Sequence, residues 1–259
     1  TFDGNGYAIK NLYILSDTEN TALFGTTGAG AAIQNLTVIG SIYTSKKFAG
    51  GIVGRAKGDI SITNCVTAVE INFWPGGDAT MGGLLGGLEH QTEIKTETAT
   101  ITNCAVLGSF TSDNTDMPNL EGVGGFVGWN DGKAVNVSNS YVAARLKDNI
   151  TKGDNFVRNG ASLFNCYYLN KIAASAQGVQ KTTEQFMSGE VAYLLKNGWG
   201  QNVEGEAINR ENYPILGSAT VYKDGYGYTN ILPEYKGQGT GTAEAPYIIT
   251  SAAEYISFA

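Results

Sequence analysis

The sequence predicts an all-β protein, a right-handed parallel β-helix (solenoid) followed by a C-terminal capping segment that contains a helix. Three observations predict it. A glycine-rich five-residue motif recurs along the chain, an Asn-centred motif alternates with it, and the residues around both alternate apolar with polar as half-buried strands do.

The first motif reads Gly50-Gly51-Ile52-Val53-Gly54 and returns as Gly82-Gly83-Leu84-Leu85-Gly86 and Gly124-Gly125-Phe126-Val127-Gly128, with Ala22-Leu23-Phe24-Gly25 as a degenerate earlier copy. Neither the Gly-x-x-x-x-Gly-Lys of a phosphate loop nor the Gly-x-Gly-x-x-Gly of a dinucleotide site is spelled at these positions, so the glycines turn the chain and hold no nucleotide. Glycine tolerates positive φ and lets neighbouring coils approach closely, and both uses are expected here.

The second motif is apolar-x-Asn followed by Leu, Cys or Ser. It is carried by Asn11, Asn35, Asn64, Asn103, Asn139 and Asn165, which lie 24 to 39 residues apart. That interval suits one coil of a solenoid with loops of variable length. Asn visits the left-handed region and can bond up the stack as a ladder. Strand grammar surrounds it, as in Ile60-Ser61-Ile62-Thr63 and Thr98-Ala99-Thr100-Ile101-Thr102.

Composition bounds the function. The chain has 259 residues, 35 of them Gly, against a usual Gly content of about 7%. Its formal net charge is −7, from 17 Lys plus Arg against 24 Asp plus Glu, so it repels phosphate backbones and excludes nucleic acid as a partner. No apolar run approaches the roughly 18 residues of a membrane span, so no membrane insertion is expected. Thr1-Phe2-Asp3-Gly4 opens on strand-like sequence without Met, which predicts a piece of something longer.

The alternation of Gly-Gly-Ile-Val-Gly with Ile62-Thr63-Asn64-Cys65, preceded by Phe2-Asp3-Gly4-Asn5-Gly6-Tyr7-Ala8-Ile9-Lys10-Asn11-Leu12, resembles the GLUG-motif repeats of large bacterial cell-surface proteins, including some IgA-cleaving metallopeptidases. The resemblance covers about residues 1 to 170. Residues 182 to 217 are similar to the piece that follows such repeats, and 239 to 249 to the opening of a further module. No zinc-protease helix motif is present, so the resemblance implies the accessory region without the peptidase.

The expected organisation is a β-helix over 1–172, a capping segment over 173–222, a connection over 223–238 and the start of an incomplete further module over 239–259. Thr182 and Gln185 spell a capping box, and Phe186, Met187, Val191, Leu194 and Leu195 share one helical face, which predicts a helix over about 183–196 ending near Asn197-Gly198. Its expected role is to cover an open end of the stack.

Candidate chemistry is sparse. Cys65, Cys104 and Cys166 each follow a motif Asn, so they read as three buried thiols on one ladder, although adjacent coils would let Cys65 and Cys104 pair. Cys-x-x-Cys is absent and His90 is the single histidine, in a polar loop, so neither a metal nor a cofactor is expected. The acidic residues read as turn chemistry. Between Asn and the next Gly-Gly the chain lengthens through 15, 18 and 21 residues, and loops on one flank of a solenoid form its recognition surface. These loops carry the ligand-binding candidates Phe73, Trp74, Asp78, Asp113 and Asp116, an aromatic and acidic set suited to a sugar or a peptide.

The reading that joins these features is a non-catalytic extracellular module of a large bacterial surface or secreted protein, adhesive or spacer in role, with host glycans, glycoproteins or neighbouring modules as partners. A polysaccharide lyase or glycosidase on the same fold, and a structural repeat of a surface filament, are the alternatives.

Overall fold

A computed structural model describes residues 1–74, 80–89, 96–112, 122–146, 153–172, 177–233, 239, 241–249 and 255. The chain is mainly β and divides into two compact units, Thr1–Gln180 and Lys181–Ala259.

The first unit is built from parallel strands in three sheets that the chain visits in a fixed order. The largest sheet stacks Phe2–Asp3 and Ala8–Ser16 on Ala31–Thr44, then Ile60–Phe73, then the short strands Thr98–Thr102, Ala105–Val106 and Ser109–Ser112, then Ala134–Val142 and Ser162–Tyr168. Its register repeats the sequence period: Ile33 sits beside Ile62, Ile62 beside Ile101, Ile101 beside Val137 and Val137 beside Leu163. The first four of these side chains are buried in the common core, each removal from water stabilising by roughly 2 kcal/mol.

Ala49–Gly50, Met81–Gly82 and Val123–Gly124 form a second parallel sheet, and Phe24–Thr27, Val53–Lys57, Leu85–Glu89 and Val127–Trp129 a third. Each Gly-Gly motif is the corner between these two. Both members of its apolar pair turn inward, since Ile52, Val53, Leu84, Leu85, Phe126 and Val127 are all fully buried.

The division of labour between glycine and asparagine is sharper than the sequence implies. None of the nine motif glycines has positive φ, whereas all six motif asparagines do, between 49° and 58°. The glycines serve close approach alone. A Cβ on Gly51 would lie 2.3 Å from Gly83 O, one on Gly83 2.3 Å from Gly125 O, and one on Gly125 2.0 Å from Asn155 O.

The asparagines bond along the stack in one direction. Asn64 Nδ2 donates to Asn35 Oδ1 (2.9 Å), Asn103 Nδ2 to Asn64 Oδ1 (3.1 Å) and Asn165 Nδ2 to Asn139 Oδ1 (2.9 Å). Asn11 does not lie on this ladder. It falls at a register shift between the pairs Ile9–Val38 and Leu12–Gly40, and Asp3 takes the first rung. Asp3 accepts from Asn35 Nδ2, Gln34 Nε2 and the Asn5 amide, and these donors hold its carboxyl below the usual carboxylate range. The physical reason is that a left-handed residue is needed at both places, while the ladder's first member needs only acceptor oxygens.

A further corner without the Gly-Gly spelling lies at Asp154-Asn155-Phe156-Val157, where Asp154 pairs with Gly124 and Val157 with Val127. The corner amides show why the spelling changes. The amides of Ile52 and Val53 both donate to Leu84 O, those of Leu84 and Leu85 to Phe126 O, and those of Phe126 and Val127 to Phe156 O. The amides of Phe156 and Val157 instead donate to a side chain, Gln177 Oε1, at 3.0 and 2.8 Å, and Gln177 Nε2 returns a bond to Val157 O at 2.7 Å. One carboxamide thus replaces the next repeat's backbone. Where Gly125 meets the backbone of the following repeat, Asn155 carries a buried side chain that accepts from the Ile172 amide (2.8 Å).

The second unit holds two short helices in place of the single one expected over 183–196. Helix α1 spans Thr183–Met187 and is opened by the Thr182/Gln185 capping box; α2 spans Glu190–Leu195. Gly189, at φ 90°, breaks them apart. Phe186, Val191, Ala192, Leu195 and Trp199 are buried. Trp199–Gly200 pairs antiparallel with Ile215–Leu216, and Tyr222–Asp224 with Gly227–Thr229, so part of the expected connection over 223–238 is a hairpin.

Candidate functional site

Trp74 follows the long strand Ile60–Phe73 and is tied to the preceding repeat by its amide, which donates to Thr44 O (2.8 Å). Along that strand Ile71 and Phe73 point into the core, and Glu70 and Asn72 lie on the other face. Phe73 is therefore no ligand contact. It is fully buried and in register with Thr44 and Ser112, which corrects the sequence reading. Trp74, next along the chain, turns to the outer side.

There it completes a row of rings on three successive repeats. The Trp74 ring lies 6.4 Å from that of Tyr43, and Tyr43 lies 5.7 Å from Tyr13, with interplanar angles of 43° and 47°. Tyr13 is 68% exposed, and Leu15, the direct partner of Tyr43, is 54% exposed. The pairs Tyr13–Ser41 and Ser41–Glu70 bring a hydroxyl and a carboxylate into the same part of the sheet. Apolar ring faces beside hydrogen-bonding groups suit a ligand that has a C–H face and a hydroxyl rim, as a sugar ring does. Tyr13 and Tyr43 escape a sequence reading because the register carries them, and their distances from the motif Asn differ from repeat to repeat. Asp78, Asp113, Asp116 and His90 lie outside the described residues.

The cysteines are free and buried. Each thiol donates to the carbonyl two residues back, Cys65 to Thr63 O and Cys104 to Thr102 O at 3.2 Å, and Cys166 to Phe164 O at 3.3 Å. Burial pushes Cys104 well up and Cys166 to about 11, so both stay protonated at neutral pH and are poor nucleophiles. Among the described residues, no group of three or more His, Cys, Asp or Glu could hold a metal ion.

Several cations are engaged by their own chain. Arg55 pairs with Glu89 and lies over Phe48, and Arg158 lies 4.9 Å from the Trp129 ring centre. Lys47 is 3.9 Å from Glu19 and also lies over Phe48. No helix among the described residues is long and apolar enough to cross a membrane.

No protein-family model matches the sequence. Over 95 residues, 36% of the chain, it is 38% identical to halomucin from Haloquadratum walsbyi, and the matched stretch spans 1% of halomucin's length. Its fold is similar to the crystal structure of a Bacteroides ovatus protein provisionally named an immunoglobulin A1 protease, with a TM-score of 0.52 at 20% identity, covering 83% of this chain and 76% of that one. At that identity the likeness concerns fold alone.

Proposed function

We propose that the chain is a non-catalytic module of a large extracellular surface protein, folded as a right-handed parallel β-helix of the GLUG-repeat kind, which holds glycans or host glycoproteins on the strip of Tyr13, Tyr43 and Trp74. The observation that carries this reading is the row of three rings on three successive repeats. Tyr13 is exposed and Tyr43 and Trp74 are half-buried, and a strip held by backbone pairing is preorganised for contact. A match spanning 1% of halomucin's length fits a module of a much longer chain. The fixed order of parallel sheets supports the solenoid, and with it a spacer role that coexists with adhesion.

A glycan array, with immobilised mucin and immunoglobulin beside it, tests the adhesive role in the wild-type chain and in Trp74→Ala. The expected result is binding by the wild type that Trp74→Ala weakens strongly. A blank wild type would end the adhesive reading. Reducing ends or unsaturated products released from a broad polysaccharide panel would overturn the non-catalytic one.

A further inference from the structure

The second unit contains a groove of about 400 Å³, inside the usual range of about 300 to 1,000 Å³ for small-molecule sites. The turn between α1 and α2 forms one wall, with Glu184, Met187 and Glu190, and the hairpin tip forms the other, with Tyr226 and Tyr228. Val203 and Arg210 also line it. Tyr226 is fully exposed at a two-residue hairpin turn, so its ring is open to a ligand in the groove.

Both walls are held. The hairpin is tied down by Glu204, whose carboxylate accepts from Thr229 Oγ1 and the Asn230 amide, and by Asn230 Nδ2, which donates to Gln201 O (2.8 Å). Tyr228 packs against Tyr193, ring centres 5.6 Å apart. On the helical side, buried Gln201 donates through Nε2 to Phe186 O (2.9 Å) and Glu211 O (2.6 Å). The groove is thus preorganised, and ligand binding need not order it first.

Its charged groups are engaged by the chain itself. Glu190 accepts from Lys181 Nζ (2.6 Å) and Gln185 Nε2 (3.0 Å), and Arg210 Nε donates to Gly205 O (2.9 Å) with its charge near Glu204. A charged ligand would have to compete with these partners. A ligand with an apolar face and a rim of groups that both donate and accept fits the Tyr, Met and Val surfaces together with Glu184, Gln185, Ser188 and Arg210. We propose that this groove is a second saccharide site, selective for neutral sugars, with Tyr226 as the stacking platform and independent of the Tyr13–Tyr43–Trp74 strip.

Saturation-transfer NMR of the full chain with lactose, maltose, cellobiose and N,N′-diacetylchitobiose, followed by calorimetry on any that respond, tests the proposal. At least one sugar is expected to bind. Tyr226→Ala should weaken it about tenfold, Tyr226→Phe should keep the affinity, and Trp74→Ala should leave it unchanged. Because Tyr226 is fully exposed, its substitution leaves the fold intact, which melting curves verify. The proposal fails if none of the four binds, or if binding survives Tyr226→Ala. It also fails if binding is lost in Trp74→Ala alone, a result that would leave the strip as the sugar site.

Discussion

Replacing Gln177 with Ala removes the acceptor from two corner amides at once and the donor from a carbonyl. Phe156 N and Val157 N, at 3.0 and 2.8 Å from Gln177 Oε1, would lose their partner, and Val157 O, at 2.7 Å from Nε2, would keep only the Gly160 amide (3.1 Å). A buried group left unsatisfied costs about 1 to 3 kcal/mol. Gln177 is itself only half-buried, so water can reach part of the vacated space, and the low end of that range applies. The expected loss is about 2 to 4 kcal/mol, read as a lower urea midpoint at unchanged slope. Gln177→Glu separates the contributions. It keeps the acceptor, loses the donor to Val157 O, and puts an anion near Asp154, whose Oδ1 is 3.5 Å from Gln177 Nε2. It should therefore be destabilised at neutral pH and partly recover on acidification, when the new carboxyl regains a proton to donate. Hydrogen exchange gives the local readout: the Phe156 and Val157 amides should lose protection in Gln177→Ala before the Ile52 and Val53 amides do. Unchanged protection at 156 and 157 together with a wild-type midpoint would refute the view that one carboxamide ends the corner ladder.

Three further predictions follow from the same geometry. Gly83→Ala places a Cβ 2.3 Å from Gly125 O and 2.4 Å from Val106 Cγ1, and should cost about 3 kcal/mol or more in chemical denaturation, whereas Gly28→Ala, with nothing within 4 Å and ordinary φ, should be near neutral. Asn64→Ala loses a residue suited to φ 53° and two ladder bonds, for about 2 to 4 kcal/mol, and Asn64→Gly should recover the conformational part of that cost; equal losses would deny the left-handed requirement. Burial raises Cys166 from 9.0 to about 11, so its neutral form favours the folded state fully below pH 9, and that contribution is lost as pH rises toward 11. Between those limits the wild type should lose about 3 kcal/mol more than Cys166→Ala, and parallel pH profiles would contradict it.

The parts of the fold most legible in sequence are those where one physical demand admits few residue types. A left-handed corner admits Asn, and a backbone contact from the next repeat admits only Gly, so both motifs can be read directly. The corner at Phe156-Val157 is invisible because the demand itself disappears there: Asn155 has space for its side chain, and a distant Gln177 does the work of a backbone carbonyl. Asn11 misleads for the converse reason, since the same conformation is needed at a register shift as on the ladder. Of the candidate pair Phe73-Trp74, alternation along the strand assigns the first to the core, but a loop reading of the segment hides that alternation. The partners of Trp74 come from strands 31 and 61 residues away in sequence, joined only by cross-strand register, which no local motif encodes. The helix split at Gly189 follows from a single left-handed glycine inside an otherwise helical pattern.

Recognition on the outward aromatic strip can be tested by an NMR titration of the chain with the strongest glycan from the array, following the three indole N–H resonances of Trp74, Trp129 and Trp199. The Trp74 signal should shift and saturate with the glycan while Trp129 and Trp199 stay in place. A saturating titration that moves either of the others and leaves Trp74 unmoved would contradict it.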